Sequence, residues 1–353
     1  MVEWKKLGEV CKTITPPKKL EKELYGVNGA FPIIDQGQKD IVGYTNDETS
    51  LVPNDEYILF GDHTRYVKYF NGSFAQGADG LKILKAANGI LPRYFFFSFE
   101  NVDVPSRGYS RHWSIAKELI IPIPSLEEQN RIVGILDTFT SAIDNLKEQI
   151  AQRRKQYEYY RDQLLDLEGK EGVERLALKE VCEVINGRAY SQPELLSDGK
   201  YRVLRVGNFF SNDSWYYSDL ELENKYYCEK GDLLYAWSAS FGPHIWEEEK
   251  VIYHYHIWKM DCSYRLNKKY MYYWLQSDDM KKQAFTNIHG ATMAHLTKAL
   301  MEALQVPVPS LQEQQRIVSI LDTFEASIQN LEAQLKQREK QYEYYRNKLL
   351  TFE

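Results

Sequence analysis

Two pairs of neighbouring side chains carry residue types that catalysis or metal binding would use. His254 and His256 alternate within VIYHYHIW, and on a strand both would lie on one face, within reach of one metal ion. No third ligand follows at a recognisable spacing, so we interpret the pair as part of a packed strand face. Asp62 and His63 could form part of a catalytic dyad, but no Ser or Cys nucleophile occupies a recognisable elbow nearby. A turn or a binding contact is the better interpretation of that pair.

The sequence lacks the motifs that most nucleotide- and metal-dependent enzymes use. It contains no G-x-G-x-x-G loop, no G-x-x-x-x-G-K-[ST] phosphate loop and no [DN]-P-P-[FY] tetrapeptide of methyltransferases. Its four cysteines include no C-x-x-C pair, so neither a disulfide framework nor a zinc ribbon is predicted. We therefore expect neither a catalytic centre nor a metal site in this chain.

The charge balance constrains any interaction with nucleic acid. The chain has 44 basic and 50 acidic residues, a net charge of −6, and neither end carries a basic arm. Binding to DNA would need a local positive patch or a basic partner. The N-terminal MVEWKKLGEV lacks an apolar leader segment, and no stretch approaches the roughly 18 apolar residues of a membrane span. We expect a soluble, cytoplasmic protein of two or three domains, with no membrane contact.

The sequence contains an internal repeat. IPIPSLEEQNRIVGILDTFTSAIDNL from Ile121 matches VPVPSLQEQQRIVSILDTFEASIQNL from Val306 without a gap, and the match continues for about 45 residues at an offset of 185. A weaker match, LGEVCKTI from Leu7 and LKEVCEVI from Leu178, opens each half. A variable block and a constant block therefore occur twice. The predicted segments are a variable block at 1–124, a constant block at 125–168, a variable block at 169–309 and a constant block at 310–353.

Each constant block predicts one long helix. Ser125 and Ser310 occupy N-cap positions with Glu128 and Glu313 three residues on, the pattern of a capping box. Apolar residues then recur at alternating spacings of four and three, a period typical of a left-handed coiled coil. We expect the two helices to pack antiparallel and to hold the variable blocks apart. The predicted helix-pair core includes Leu136, Phe139, Ile143, Leu146 and Ile150 of the first helix and Leu321, Phe324, Ile328, Leu331 and Leu335 of the second.

Polar and aromatic residues interrupt the apolar stripe at equivalent positions of both helices. Arg153 and Arg338 either lie at the rim of the helix pair, where they would fix its register, or grip a partner or a DNA phosphate. A cluster of tyrosines, which is also repeated, contains Tyr157, Tyr159 and Tyr160. The rings either pack within the protein while the hydroxyls make hydrogen bonds, or they form a docking face for another subunit.

These features together resemble the specificity subunit of type I restriction-modification systems. The blocks PIPSLEEQNRIVGILD and PVPSLQEQQRIVSILD are the most diagnostic part. In the second half, KGDLLYAWSASFG and HGATMAHLTKALMEALQVPVP are similar to stretches that recur in the family's target recognition domains. In the first half, FPIIDQGQKDIVGYTND and ILFGDHTRYVKYFNGSFAQGADGLKIL are similar to one recurrent type of that domain. The resemblance covers essentially the whole chain.

The resemblance implies a non-catalytic subunit that reads double-stranded DNA. One half-site of a bipartite target would be bound by each variable block, with the helices as spacer. Two methyltransferase subunits, which methylate adenine at N6, and restriction subunits, which hydrolyse ATP, would be recruited as partners. S-adenosylmethionine, ATP and Mg are then expected on those partners, and no cofactor is expected in this chain.

The resemblance and the patterns predict an α+β protein with a pseudo-twofold internal repeat. Two mixed α/β target recognition domains would be joined by two long antiparallel coiled-coil helices. The aromatic stretches that begin at Arg93 and Lys269 are predicted to pack in the domain cores.

Loops rich in Arg, Asn, Gln, Ser and Thr are the candidates for DNA contact, because these side chains pair with base edges or phosphates. For a single residue, a solvated loop or a local hydrogen bond is the alternative. Lys68, Arg111, Arg188 and Lys298 are the predicted phosphate contacts. The first-block candidates are Gln36, Gln38, Lys39, His63, Thr64, Arg65, Lys68, Tyr109, Ser110 and Arg111, and the second-block candidates are Asn186, Arg188, Tyr190, Trp237, Ser238, Ser240, His289, Thr292, Met293 and Lys298.

A scaffold without DNA readout is the alternative from another class. Its end domains would bind proteins, and the acidic net charge favours it. The donor-rich loops and the length of the resemblance favour the DNA-reading function.

Overall fold

The computed structural model describes residues 2–77, 79–210, 212–238, 240–285 and 296–352. The fold divides into two compact units, which we call unit 1 (Met1–Glu148 with Glu332–Glu353) and unit 2 (Gln149–Leu331). Each of the two long helices contributes residues to both units. Among the described residues, no helix is both long and apolar enough to cross a membrane.

Unit 1 is built on one six-stranded sheet, with strand order β2-β7-β5-β6-β3-β4. Its centre is the long hairpin of β5 and β6, and β3 pairs with β6 in parallel while the other neighbours are antiparallel. The elements in chain order are β1 (Glu3–Lys6), β2 (Cys11–Ile14), β3 (Phe31–Ile34), β4 (Gly43–Thr45), β5 (Leu51–Gly61), β6 (Val67–Gln76), β7 (Leu81–Ala86), α1 (Pro92–Glu100), α2 (Trp113–Ala116), β8 (Ile120–Ile123) and α3 (Leu126–Leu165).

Unit 2 contains two four-stranded sheets, with strand orders β10-β17-β14-β15 and β12-β11-β16-β13. The second sheet is mixed, because β11 and β16 are parallel. The elements in chain order are β9 (Glu174–Ala177), α4 (Leu178–Val181), β10 (Cys182–Asn186), β11 (Tyr201–Leu204), β12 (Tyr216–Ser218), β13 (Tyr227–Cys228), β14 (Leu233–Ser238), β15 (Ser240–Ile245), β16 (Val251–Tyr253), β17 (Ile257–Cys262), α5 (Lys268–Trp274), α6 (Asp278–Phe285), α7 (Lys298–Ala303), β18 (Gln305–Val308) and α8 (Leu311–Leu350).

The aromatic stretches form α1 and α5, and both lie in the unit cores as predicted. Pro92 starts α1 and the Asn267 side chain caps α5. Phe99 of α1 stacks on Phe60 of the sheet at 5.0 Å between ring centroids. The side chains that are fully buried in these two helices are Tyr94, Phe95, Phe97 and Phe99 in α1 and Tyr270, Met271, Tyr273 and Trp274 in α5.

Each long helix is entered from a short strand that contains proline. β8 pairs with β1, and β18 pairs with β9, so the opening strand of each unit lies against the entry to its helix. The Ser125 hydroxyl accepts from the Glu128 N–H at 3.4 Å, which confirms the predicted N-cap. The reciprocal half of the predicted capping box is wrong, because the Glu128 carboxylate pairs with Arg131 at 2.6 Å instead. Residues 310, 313 and 316 repeat this arrangement in α8.

A buried glutamine on each long helix fastens the loop that precedes the aromatic helix. The Gln129 amide donates to Pro124 O at 3.0 Å and to Gly89 O at 3.2 Å, and its oxygen accepts from Leu91 N at 2.9 Å. Gln314 makes the equivalent three bonds in unit 2, to Pro309 O, Arg265 O and Asn267 N. Since 1 % or less of each glutamine is exposed, both are part of the cores.

Within each unit the two long helices are in contact through equivalent aromatic pairs. Phe139 stacks on Tyr345 at 5.2 Å in unit 1, and Phe324 stacks on Tyr160 at 5.4 Å in unit 2. In unit 1 the start of α3 packs against the end of α8, so these segments run antiparallel there. Coiled-coil packing over the full length of the helices stays a prediction.

The predicted helix-pair core is only partly enclosed. The Arg338 guanidinium lies over the Phe139 ring at 5.8 Å, and the Arg153 guanidinium lies over the Phe324 ring at 5.9 Å, as expected of residues at the rim. The buried members are Leu136, Ile143, Ile150 and Leu321, and the half-buried members are Phe139, Leu146, Phe324, Ile328, Leu331 and Leu335.

Candidate nucleic-acid interface

In unit 1, Gln36 joins two of the predicted contact loops. The backbone N–H of His63 donates to the Gln36 side-chain oxygen at 3.1 Å, and the Thr64 hydroxyl donates to the Gln36 carbonyl. The Gln36 amide donates to Asp79 O at 3.1 Å. Gln38 and Lys39 follow on the exposed side of the same loop. The loop of residues 35–39 and the turn of residues 61–65 therefore form one surface.

A buried network fastens the third predicted loop to that surface. Asp62 is 2 % exposed, and its carbonyl accepts from the His112 backbone N–H at 2.8 Å. His112 Nδ1 lies 2.9 Å from the same carbonyl, and its Nε2 accepts from Arg107 N at 3.0 Å, so this ring is the neutral Nδ1–H tautomer. The Asp62 carboxylate accepts from Trp113 N at 2.7 Å. Asp62 is thus a structural residue of a turn, as its sequence context predicted.

Tyr109 presents an aromatic ring on this surface. The ring is stacked on His63, with 4.8 Å between centroids and 12° between planes, while 90 % of Tyr109 is exposed. Ser110 and Arg111 follow in the exposed part of the same loop. An exposed ring that is held by a stacking partner, next to a guanidinium, can contact bases and phosphates.

Two basic candidates of unit 1 donate to backbone carbonyls, Lys68 from a buried position and Arg65 from an exposed one. The buried Lys68 ammonium donates to Asp35 O at 3.2 Å and to Lys39 O, and burial lowers the pKa of Lys68. Arg65 has a left-handed backbone with φ of 64° and donates to Val104 O at 2.9 Å. A phosphate contact by Lys68 would require its side chain to leave these carbonyls.

In unit 2, Arg188 and Tyr190 lie beside a tight turn at residues 254–256. The Tyr255 N–H donates to Arg188 O at 3.0 Å, and Arg188 N donates to Tyr253 O at 3.1 Å. A side chain at Gly187 would meet His254 O at 2.3 Å, so this approach of the two backbones requires glycine. The expectation that VIYHYHIW is one strand is wrong, because the chain turns between β16 and β17.

His254 and His256 are the first and last residues of that turn, so they do not lie side by side on the face of a strand. Their ring centroids are 4.9 Å apart. Burial, with His256 and Arg205 close by, lowers the pKa of His254 to about 4. Within the described residues, no group of three or more His, Cys, Asp or Glu side chains could hold a metal ion.

Only part of the Arg188 guanidinium has a hydrogen-bond partner in this position. Its guanidinium pairs with Glu194 at 2.6 Å and lies over the Tyr190 ring at 5.1 Å. The second terminal nitrogen of the guanidinium, Nη1, and the Tyr190 hydroxyl are buried without a hydrogen-bond partner. A ligand would reach these two groups only if the side chains moved from their present contacts.

Trp237 connects the turn to the sheet. Its indole N–H donates to Tyr255 O at 2.9 Å, and its ring stacks on Trp258 at 5.6 Å. Ser238 and Ser240, which pair at the ends of β14 and β15, follow it, and exposed Asn186 ends β10 opposite Trp258. Residues 186–190 and 235–238 therefore lie close together. The prediction of a loop at 235–240 is wrong for residues 235–238, which belong to strand β14.

The remaining unit 2 candidates lie elsewhere. Lys298 begins α7 and lies 3.5 Å from Glu302, one turn along that helix. His289, Thr292 and Met293 lie outside the described residues.

Two residues of the unit 2 surface were missed by the sequence analysis. Tyr255 is 40 % exposed at the tip of the turn, and Arg205 is exposed next to His254. The run VIYHYHIW, which contains Tyr255, alternates like a strand and contains neither Gly nor Pro. Only Gly187 signals the contact, and its partner cannot be read from the sequence.

The chain is similar to known proteins over nearly its whole length. The family model described as type I restriction modification DNA specificity domain matches residues 1–153 and again 170–339. The specificity subunit of the type I restriction enzyme EcoR124I/EcoR124II from Escherichia coli is 28 % identical over 99 % of this chain and 94 % of its own length. A putative type I specificity subunit, S.HindORF215P of Haemophilus influenzae, is 27 % identical over 99 % and 96 %.

The fold is also similar to a solved structure. The S subunit of a type I restriction-modification system from M. genitalium matches with a TM-score of 0.62 and 18 % identity, over 99 % of this chain and 96 % of that one. Both halves of the chain therefore match the same family model, and the fold is similar to that of the solved S subunit.

Proposed function

The chain belongs to the family of type I restriction-modification DNA specificity proteins, and we propose that it selects the DNA target of such a system without catalysing a reaction itself. The observation that carries this proposal is the double match of the family model to the two halves. Each matched half contains a cluster of exposed or half-buried Arg, Gln, Asn, Ser and aromatic side chains. These are the side-chain types that read base edges and bind phosphates.

The two units are built to read different half-sites. Their helix contacts are nearly identical, down to the buried glutamines and the aromatic pairs. Their candidate surfaces share neither sequence nor geometry: unit 1 presents the His63–Tyr109 stack, and unit 2 presents the Arg188 loop and the turn at 254–256. Because different side chains read different base edges, the target is bipartite and asymmetric.

The repeated helices provide the other part of the function. Two nearly identical surfaces suit two copies of one partner, which we infer to be the methyltransferase subunit, with restriction subunits joining the assembly. S-adenosylmethionine, ATP and Mg bind to those partners in this proposal. The helices also set the number of base pairs between the half-sites.

Selection of DNA from a random library tests the proposal. The chain is purified with the methyltransferase encoded beside it, and the bound duplexes are sequenced. We expect two unlike short motifs at a fixed separation, and the methyltransferase alone to enrich neither. Enrichment of a palindrome would contradict the assignment of one half-site to each unit, and no enrichment would favour a scaffold without readout.

A further inference from the structure

The turn between β16 and β17 combines a fixed backbone with an exposed aromatic side chain. Both polar backbone atoms of Tyr255 are bonded, N–H to Arg188 O at 3.0 Å and O to the Trp237 indole at 2.9 Å. His254 N donates to Leu204 O at 2.9 Å, which ties the turn to the neighbouring sheet. The ring of Tyr255 is nevertheless 40 % exposed. A contact made by this ring would therefore lose little conformational entropy.

The surroundings of the turn are suited to a polyanion. Arg205 is exposed beside His254, its guanidinium lies over the Tyr216 ring at 5.3 Å, and it has no carboxylate partner among the residues that the structure describes. Arg188, on the other side of the turn, keeps one buried guanidinium nitrogen without a partner. An unpaired surface cation binds phosphate at low desolvation cost, and an aromatic ring next to it can contact a base.

Packing within the protein covers only part of the Tyr255 side chain. The stack of Tyr235, Trp258 and Trp237 ends beneath the turn, where Trp237 meets the His256 ring edge-on at 5.1 Å. The Tyr255 ring contacts the rings of His256 at 4.0 Å and His254 at 4.3 Å and lies 6.4 Å from that of Trp237. Tyr255 nevertheless keeps 40 % of its surface exposed, whereas the large apolar side chains of β16 and β17 are buried. Its side chain is therefore available for a ligand.

We propose that the turn at 254–256 is the element of unit 2 that reads its DNA half-site, with Tyr255 against the base edges and Arg205 on a phosphate. The inference rests on the proposed function, since the occupant is the half-site assigned to unit 2. Specificity then depends on Tyr255, whereas Arg205 positions the backbone and contributes affinity for any sequence.

The chain offers matched controls at the other end of β17. Tyr264 is 89 % exposed, and Arg265 is half-buried and paired with Glu174 at 2.8 Å. A strand of six residues separates the two ends of β17 by about 20 Å, so these residues are too far from the turn to share its contacts. Tyr264→Ala and Arg265→Ala therefore remove the same chemical groups from a site that makes no base contact in this account.

The test compares Tyr255→Ala and Arg205→Ala with those two controls. Each variant is purified as the complex with the methyltransferase. Its base preferences are measured by library selection, and its affinity by titration of the selected duplex. Tyr255→Ala should relax the preference for one base pair or more in one half-site by about tenfold, and leave the other half-site unchanged. Arg205→Ala should weaken binding to all sequences and reduce the slope of log affinity against log salt by about one.

The outcomes separate this inference from the proposed function. If the wild-type complex selects a bipartite site and Tyr255→Ala keeps the same base preferences as Tyr264→Ala, the turn does not read DNA and the inference is overturned. If the wild-type complex selects no site, the proposed function is overturned and the inference with it. Relaxation of the two half-sites together would also overturn the inference, because it assigns the turn to one half-site.

Discussion

Several polar side chains of this protein fix the conformation around its candidate contact loops. Lys68 donates to two carbonyls of the 35–39 loop, and Asp62 accepts from the loop that contains Tyr109. In unit 2 the half-buried Glu325 carboxylate accepts from the hydroxyls of Tyr157, Tyr272 and Tyr273 at 3.1 to 3.5 Å. Its counterpart in the first helix is Thr140. Single residues thus make the two units differ in their response to pH.

Glu325→Gln should stabilise unit 2 increasingly as the pH rises. Burial, and then the nearby Asp322, raise the pKa of Glu325 above its usual 4.5 despite the hydrogen bonds from Tyr273 and Tyr272. A raised pKa in the folded state favours the protonated form, so its contribution to stability is complete below pH 4.5 and is lost as the pH rises through the folded-state value. Glutamine does not titrate, and it therefore avoids this loss.

Denaturation by urea at several pH values between 4 and 8 measures the effect. The gap in unfolding free energy between Glu325→Gln and wild type should widen with pH, whereas Glu171→Gln, in an exposed loop of the same unit, should show no such trend. A gap that narrows as the pH rises would contradict the assignment.

At the scale of elements, the same fastening of helix to loop occurs in both units. Replacing Gln129 by leucine should cost about 2–4 kcal/mol of unfolding free energy, because Leu91 N and two carbonyls would stay buried without partners. Gln314→Leu should have a similar cost in unit 2. Asn130→Leu and Gln312→Leu, on the exposed side of each helix, should change stability by no more than about 0.5 kcal/mol. Equal effects at positions 129 and 130 would show that the buried bonds are unimportant.

Two cysteines face each other across β10 and β17. Cys182 and Cys262 are paired in register, and their sulfur atoms are 3.9 Å apart. The neighbouring pair of residues is joined by the hydrogen bond from Ser263 N to Val181 O, so the cysteines occupy a non-hydrogen-bonded position of the antiparallel ladder. Cα atoms at such a position are about 4.5 Å apart, which a disulfide can bridge. Diamide should therefore join these two thiols and leave buried Cys11 and Cys228 reduced, as peptide mass spectrometry would show. Blocking of all four thiols by an alkylating agent after diamide treatment would contradict this.

The elements differ in how far they could be predicted. The starts of α3 and α8 follow from capping residues that the sequence displays directly, whereas both helices end three residues before the predicted 168 and 353. The burial of α1 and α5 follows from their runs of aromatic residues. The turn at 254–256 could not be predicted, because it is imposed by Gly187 and by the bond from His254 N to Leu204 O, both distant in sequence. For the same reason the contact loops were predicted as groups, while the roles of Lys68, Tyr255 and Arg205 depended on their neighbours in space.

At the scale of the whole molecule, the net charge of −6 opposes binding to DNA. The isolated chain should bind its target at least tenfold more weakly than the complex with the methyltransferase, because additional basic surface neutralises more phosphates. Fluorescence anisotropy at 50 and 200 mM salt, with the selected duplex, would measure both affinities. Equal affinity of the isolated chain and the complex would contradict the role assigned to the partner.

The central claim is that this chain alone decides which sequence is methylated. Sequencing of methylated bases in a host that expresses the neighbouring methyltransferase, with and without this chain, tests that claim most directly. We expect methyladenine in a motif of two unlike parts with a fixed gap, and the loss of that motif when the chain is absent. An unchanged set of methylated sites in the strain without the chain would contradict the account.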